Sequence, residues 1–155
     1  GEGMAKLQFE LVSPERIVYS DDGVEMVIAP GAEGELGILP NHAPLLTTLG
    51  YGVLRVRHGK EERAFTVAGG VLEVRPDVVI VLADVGERVD EIDLGRAEAA
   101  RARAEELLAK GPPPDTDEYL KIQAALRRSK LRLEAVRRYG RGARPDRPSR
   151  PEPED

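Results

Sequence analysis

The first half of the chain shows the alternation of apolar and polar residues that β-strands produce. Leu7, Phe9 and Leu11 occupy alternate positions of the first such segment. That segment ends before Pro14, because proline cannot donate a strand hydrogen bond. Further segments rich in β-branched residues follow at residues 24–29, 53–57, 63–67, 71–74 and 78–83. Many short strands without an intervening helix predict an antiparallel β-sandwich or barrel.

The pattern changes to helical spacing at Asp90. Residues 90–110 contain no proline and many Ala, Glu and Arg residues, and Asp90 followed by Asp93 is typical of a helix N-terminus. The prolines at 112–114 must end this helix. Asp115 followed by Glu118 is a second capping pair, ahead of a helix over residues 119–139.

Each predicted helix carries one apolar stripe. The stripes consist of Ala97, Ala100, Ala104 and Leu107 on the first helix, and of Ile122, Leu126, Ser129, Leu133 and Val136 on the second. Two such stripes predict an antiparallel hairpin. Alanine buries little area, and burial contributes about 25 cal/mol per Å², so the seam of this hairpin should be weak.

Composition narrows the possible functions. The chain has 155 residues, 41% hydrophobic, and a net charge of -5, although its Lys and Arg residues are concentrated toward the C-terminus, where they could meet an acidic partner. The lack of cysteine excludes disulfides, thiolate metal sites and a cysteine nucleophile. The longest aliphatic run, residues 78–83, is far shorter than the roughly 20 residues that span a bilayer. Residues 140–155, rich in proline and charge, are predicted to form a disordered tail.

The stretch GAEGELGILPNHAPLL, residues 31–46, contains three glycines, two prolines and a histidine. A phosphate-binding loop requires a helix after its glycines, and no helical pattern follows here. The only histidines, His42 and His58, belong to no metal-ligand spacing and have no partnered nucleophile. We therefore predict no catalytic residue and no metal site. Aromatic residues make up 4% of the chain, too few for the stacking that single-stranded nucleic acids require, and we predict no nucleic-acid partner.

Arginines of the predicted hairpin form two pairs. Arg96 and Arg103 are seven residues apart, and Arg128 and Arg132 are four apart, so each pair shares a helix face. Four guanidinium groups could hold a polyanion such as a nucleoside triphosphate and pin the helices together. The alternative is that these arginines are solvated and pair with Glu98, Glu105 and Glu106 on the surface.

Three stretches, residues 31–56, 65–87 and 92–108, resemble in order the signature blocks of the epsilon subunit of the bacterial F-type ATP synthase. The resemblance implies a sandwich of about ten strands over residues 4–88, a regulatory helical hairpin over residues 89–139 and a tail from residue 140. It also implies that the protein is not an enzyme, that it needs no cofactor, and that it lies peripherally on the cytoplasmic face of the cell inner membrane.

In that family the sandwich binds the gamma subunit and touches the c-ring. Glu35 and His42 match the family positions that face the c-ring. Leu36, Ile38 and Leu39 could serve this contact or the sandwich core, and the core is favoured for at least one of them.

The hairpin of the family permits rotation when folded down, and it blocks ATP hydrolysis when extended along gamma toward the alpha and beta subunits. In some members ATP is a regulatory ligand that stabilises the folded form. The positions that match the ATP-binding pattern are Glu87, Asp93, Arg96, Ala97, Arg103, Arg128 and Arg132. Gly95, which costs up to about 1 kcal/mol relative to alanine, and the prolines at 112–114 depart from that pattern. The alternative function is an ATP-sensing module with little inhibitory role.

Overall fold

A computed structural model describes residues 5–140 of the chain, which divides into a sheet unit ending at Arg88 and a helical unit beginning at Val89. The strands of the sheet unit are β1 (Leu7–Val12), β2 (Ile17–Val24), β3 (Met26–Gly31), β4 (Gly34–Ile38), β5 (Leu45–His58), β6 (Glu61–Val74), β7 (Val78–Ala83) and β8 (Gly86–Arg88). They follow the order β2-β1-β7-β6-β5-β3-β4, with β8 paired to β6. All pairings are antiparallel except that of β1 with β7.

The two 14-residue strands β5 and β6 run through both layers. One half of β6 pairs with β8 and the other with β7. The change occurs at Gly69 and Gly70, whose φ values of 82° and 132° are accessible mainly to glycine, and a Cβ on Gly70 would overlap the Leu82 carbonyl. With each long strand counted as two segments, the eight strands make about ten, and the predicted β-sandwich is confirmed.

The core lies between the layers and is entirely aliphatic and aromatic. Its largest fully buried side chains include Phe9, Phe65, Leu7, Leu54 and Leu72. Leu7, Phe9, Leu54 and Leu72 alternate with exposed or half-buried residues, because successive strand side chains point to opposite faces. Around Phe65 both faces of β6 are covered, and residues 65–68 are all buried.

Periodicity located the buried strands and missed β2, β4, β8 and residues 45–52 of β5. β2 contains Asp21 and Asp22 and β4 contains two glycines, which are residues depleted in strands. Both strands lie at the ends of the sheet order. A strand at an end has a neighbouring strand on one side only, so fewer of its positions need to be apolar. The segments predicted at residues 63–67 and 71–74 are parts of the single strand β6.

The helical unit contains a 3-10 helix (Val89–Glu91), α1 (Leu94–Ala109) and α2 (Thr116–Tyr139). The predicted start of the first helix at Asp90 is wrong: Asp90 lies in the 3-10 helix, and Asp93 is the N-cap, accepting a 3.0 Å hydrogen bond from the Arg96 amide. Asp115 caps α2 as predicted, through a 2.9 Å bond from the Asp117 amide. The predicted tail lies, apart from Gly140, outside the described residues.

Candidate functional site

The first candidate surface consists of β4 and the loop that follows it. Ile38 is fully buried in the core, Leu36 packs against the core and Leu39 is 56% exposed. The core therefore takes two of the three apolar residues and leaves Leu39 on the surface. Glu35, whose side chain is 60% exposed, projects from the same strand.

Backbone hydrogen bonds fix the shape of this loop. Asn41 has a positive φ of 71°, a conformation that asparagine tolerates better than most residues. Its amide donates to the Pro76 carbonyl over 2.7 Å, and the His42 amide donates to the Leu39 carbonyl over 3.2 Å. The His42 ring Nδ1 lies 2.7 Å from the Ala43 carbonyl oxygen. The loop therefore presents His42 in a defined position next to Leu39.

The second histidine belongs to a polar cluster on the sheet unit. His58 Nδ1 lies 2.8 Å from Asp21 Oδ2, and the same carboxylate accepts hydrogen bonds from the Tyr19 hydroxyl at 3.0 Å and the Gly23 amide at 2.9 Å. Burial opposes ionisation of Asp21, but these hydrogen bonds outweigh it, so the pKa of Asp21 is lowered. The cluster ties β2 to the end of β5. Within residues 5–140, no group of three acidic or histidine side chains is arranged to hold a metal ion.

An exposed apolar row crosses the outer face of the sheet unit, and the sequence analysis missed it. Its members are Ile17, Val12, Leu82 and Val71, which are register neighbours across four strands, together with the 72% exposed Leu46 on β5. The run VVIVLA of β7 contained the signal, because a strand that is apolar on both faces is typical of one covered on both sides.

In the helical unit, α1 packs on α2 along a seam of small residues. Ala97, Ala104 and Ser129 are 2%, 4% and 1% exposed, and the Ser129 hydroxyl donates to the Ala125 carbonyl within its own helix. The predicted stripe of α1 is partly wrong, since Leu107 is 40% exposed. Spacings of four and three residues instead place Arg101 between the two buried alanines, and its Nε is buried without a hydrogen-bond partner in the described residues.

The four predicted arginines lie on one face of the hairpin. A helix turns about 100° per residue, so Arg96 and Arg103 lie within about 20° of each other, roughly 110° from Ala97 around α1. By the same rotation, Arg128 and Arg132 lie within about 40° of each other, on the same rotational side of the buried Ser129. Because the helices run antiparallel, residues that are displaced from the shared seam in the same rotational sense lie on the same face of the hairpin. Both arginine pairs therefore lie on one face, called here the arginine face.

One of the three glutamates that could pair with these arginines has another partner. Glu105 pairs with Arg101 at 3.5 Å, and across residues 5–140 no ion pair engages Arg96, Arg103 or Arg128. Surface pairing of these three arginines with neighbouring glutamates, the alternative reading, is therefore absent. Arg132 makes interactions within the chain.

The remaining residues predicted to bind ATP contribute to the fold itself. Asp93 is engaged as the N-cap of α1, and Ala97 is buried. Glu87 belongs to β8 of the sheet unit, where it accepts a 3.4 Å hydrogen bond from the buried Thr66. Neither helix in the described part of the chain has the length and apolar character needed to cross a membrane.

Comparisons with known proteins agree with this architecture. The family described as ATP synthase, Delta/Epsilon chain, beta-sandwich domain matches residues 6–89, and its long alpha-helix domain matches residues 90–137. The ATP synthase epsilon chain of Dehalococcoides mccartyi is 47% identical over 139 residues, covering 86% of this chain and 94% of its own. That of Moorella thermoacetica is 48% identical over 135 residues, covering 86% and 98%.

A solved structure has the same fold. A chain of the Euglena gracilis mitochondrial ATP synthase, in a structure titled OSCP/F1/c-ring, superimposes with a TM-score of 0.69 at 25% identity, over 88% of this chain and 85% of its own. The chain therefore belongs to the ATP synthase delta/epsilon chain family, whose members are non-catalytic subunits of the ATP synthase stalk.

Proposed function

We propose that this chain couples the gamma subunit to the c-ring and inhibits ATP hydrolysis when its helical hairpin extends, with ATP stabilising the folded hairpin. The observation that carries the proposal is the seam of small residues beside an arginine face of which three members, Arg96, Arg103 and Arg128, make no ion pair within residues 5–140. A hairpin held by so little apolar area can adopt two packings that differ by only a few kcal/mol.

ATP is the ligand that the arginine face would accept. Its triphosphate offers several acceptor oxygens, and guanidinium groups bind such oxygens in charge-assisted pairs. Because Arg96 and Arg103 belong to α1 while Arg128 and Arg132 belong to α2, one polyanion bound to both pairs would hold the helices together. ATP binding would then favour the folded hairpin by mass action.

The sheet unit supplies two separate docking surfaces. The exposed apolar row is suited to a protein partner, since desolvating such side chains stabilises an interface, and we assign it to gamma. We assign Glu35 and His42, on β4 and its loop, to the c-ring, whose loops are polar. Membrane association would be peripheral, through the complex.

Calorimetry of the full chain with ATP tests the ligand part. Arg103→Ala and Arg128→Ala should each weaken binding by at least about tenfold, since a charge-assisted contact contributes about 1.5–3 kcal/mol. Arg137→Ala is the matched control: Arg137 pairs with Glu134 at 2.6 Å and lies about 180° from Arg128 around α2. Equal effects of all three substitutions, or no binding at millimolar ATP, would reject the arginine face as the site.

Hydrolysis by the assembled complex tests the inhibitory part. Truncation after Arg88, the last residue of the sheet unit, should leave assembly intact and raise ATP hydrolysis. If hydrolysis stays unchanged while ATP still binds the full chain, the alternative of an ATP-sensing module with little inhibitory role is favoured.

A further inference from the structure

Arg55 is a charged residue at the centre of the outer sheet face that the proposed docking function has not used. It stands directly opposite Ile28 of β3, which stands opposite Gly37 of β4. Ile28 is 7% exposed but lies outside the main core cluster, so it is covered from the outer face. The Arg55 side chain is itself only 19% exposed. Arg55 is therefore packed along the sheet surface and does not extend freely into solvent.

The two terminal nitrogens of Arg55 reach carboxylates on opposite sides. Nη2 lies 3.6 Å from Glu35 Oε2 on β4, and Nη1 lies 3.7 Å from Glu62 Oε2 on β6. Glu62 also accepts a 3.0 Å hydrogen bond from Arg57 Nε. One guanidinium thus connects the edge strand β4 to the long hairpin of β5 and β6, across the intervening β3.

We propose that Arg55 is the positioning residue for Glu35, holding its carboxylate in the orientation in which the docking partner meets it. This inference rests on the proposed contact of Glu35 with the c-ring. An exposed glutamate otherwise samples many rotamers, and immobilising such a side chain on binding costs conformational entropy. Arg55 reduces that cost by restricting Glu35 before the partner arrives.

The two-sided geometry requires an arginine. A guanidinium is planar and presents its donors in a fixed fork, so separate nitrogens serve separate carboxylates. A lysine ammonium is a single point charge on a flexible stem and has no two separate nitrogens to direct at Glu35 and Glu62. Arg55→Lys should therefore restore only part of what Arg55→Gln loses.

A double-mutant cycle on docking tests the inference. The affinity of the full chain is measured for a detergent-solubilised c-ring carrying gamma, with the variants Arg55→Gln, Glu35→Gln and the combination of both. Each single substitution should weaken binding about two- to fivefold, the range expected for an exposed charge pair. In the Glu35→Gln background, Arg55→Gln should have no further effect. Adding salt should reduce the coupling between the two positions.

Arg57→Gln is the matched control, because Arg57 shares Glu62 with Arg55 and has no ion pair with Glu35. It should leave docking unchanged, and thermal unfolding should show that all variants remain folded. If Arg55→Gln weakens docking equally with and without Glu35→Gln, the positioning role is wrong while the docking role of Glu35 stands. If Glu35→Gln alone leaves binding unchanged, both the docking assignment and the inference are rejected.

Discussion

The seam of the hairpin is the place where a single substitution should shift the proposed switch most clearly. Ala104 is 4% exposed on the face by which α1 packs on α2. Ala104→Leu adds three carbon atoms to this buried position. Overpacking a closed site costs about 1–3 kcal/mol, which corresponds to a shift of about 5- to 150-fold in the equilibrium between closed and open hairpin.

Ala102→Leu is the control for this substitution. Ala102 is exposed on the same helix, so the change in helix propensity is the same and no contact of the seam is disturbed. Amide hydrogen exchange in the full chain should show faster exchange across α2 in Ala104→Leu and unchanged exchange in Ala102→Leu. The assembled complex carrying Ala104→Leu should hydrolyse ATP more slowly, because the open hairpin is the proposed inhibitory form. Indistinguishable behaviour of the two variants would refute the weak-seam argument.

Three further predictions concern the sheet unit. The pKa of Asp21 is lowered from its ordinary 3.8, so the ionised carboxylate stabilises the fold above that pH, and this contribution is lost as pH falls through the lowered pKa. Asp21→Asn should therefore make the free energy of unfolding less dependent on pH on the acid side. An unchanged pH profile would contradict this. Leu82 is a 52% exposed member of the apolar row. Leu82→Asp should change the free energy of unfolding, measured by thermal unfolding, by no more than about 0.5 kcal/mol, and it should weaken gamma binding in a pull-down. Gly70→Ala should destabilise the sheet unit by more than about 1 kcal/mol in denaturant unfolding, because of its φ of 132° and the adjacent Leu82 carbonyl.

The sequence was sufficient to predict the strands that build the core, because the buried residues carry a strong period; it did not predict β2, β4 or β8. Leu7, Phe9 and Leu11 are all fully buried, as their alternation predicts. The start of the first helix was harder to predict, because Asp90 and Asp93 both suit an N-terminus. In the structure the Ile92 amide donates to the Val89 carbonyl over 3.2 Å, the bond across three residues that defines a 3-10 helix.

The candidate site was predictable in its residue types and only partly in its contacts. Helical spacing placed Arg96 and Arg103 on one face, and that follows from geometry alone. The same spacing rule could have placed Arg101 beside Ala97 and Ala104. No local pattern could reveal that Arg55 reaches Glu35, because the two residues lie 20 positions apart on strands separated by β3. Spacing also left open whether the neighbouring glutamates pair with these arginines; Glu105 pairs instead with Arg101.

The account depends on the helical unit having two positions relative to the sheet unit. Spin labels at Glu61→Cys on the sheet unit and Lys130→Cys on α2, both exposed, would report the distance between the units by pulsed electron paramagnetic resonance in the assembled complex. The account predicts two populated distances, with ATP shifting the population toward one of them. A single distance that does not change with nucleotide would contradict it.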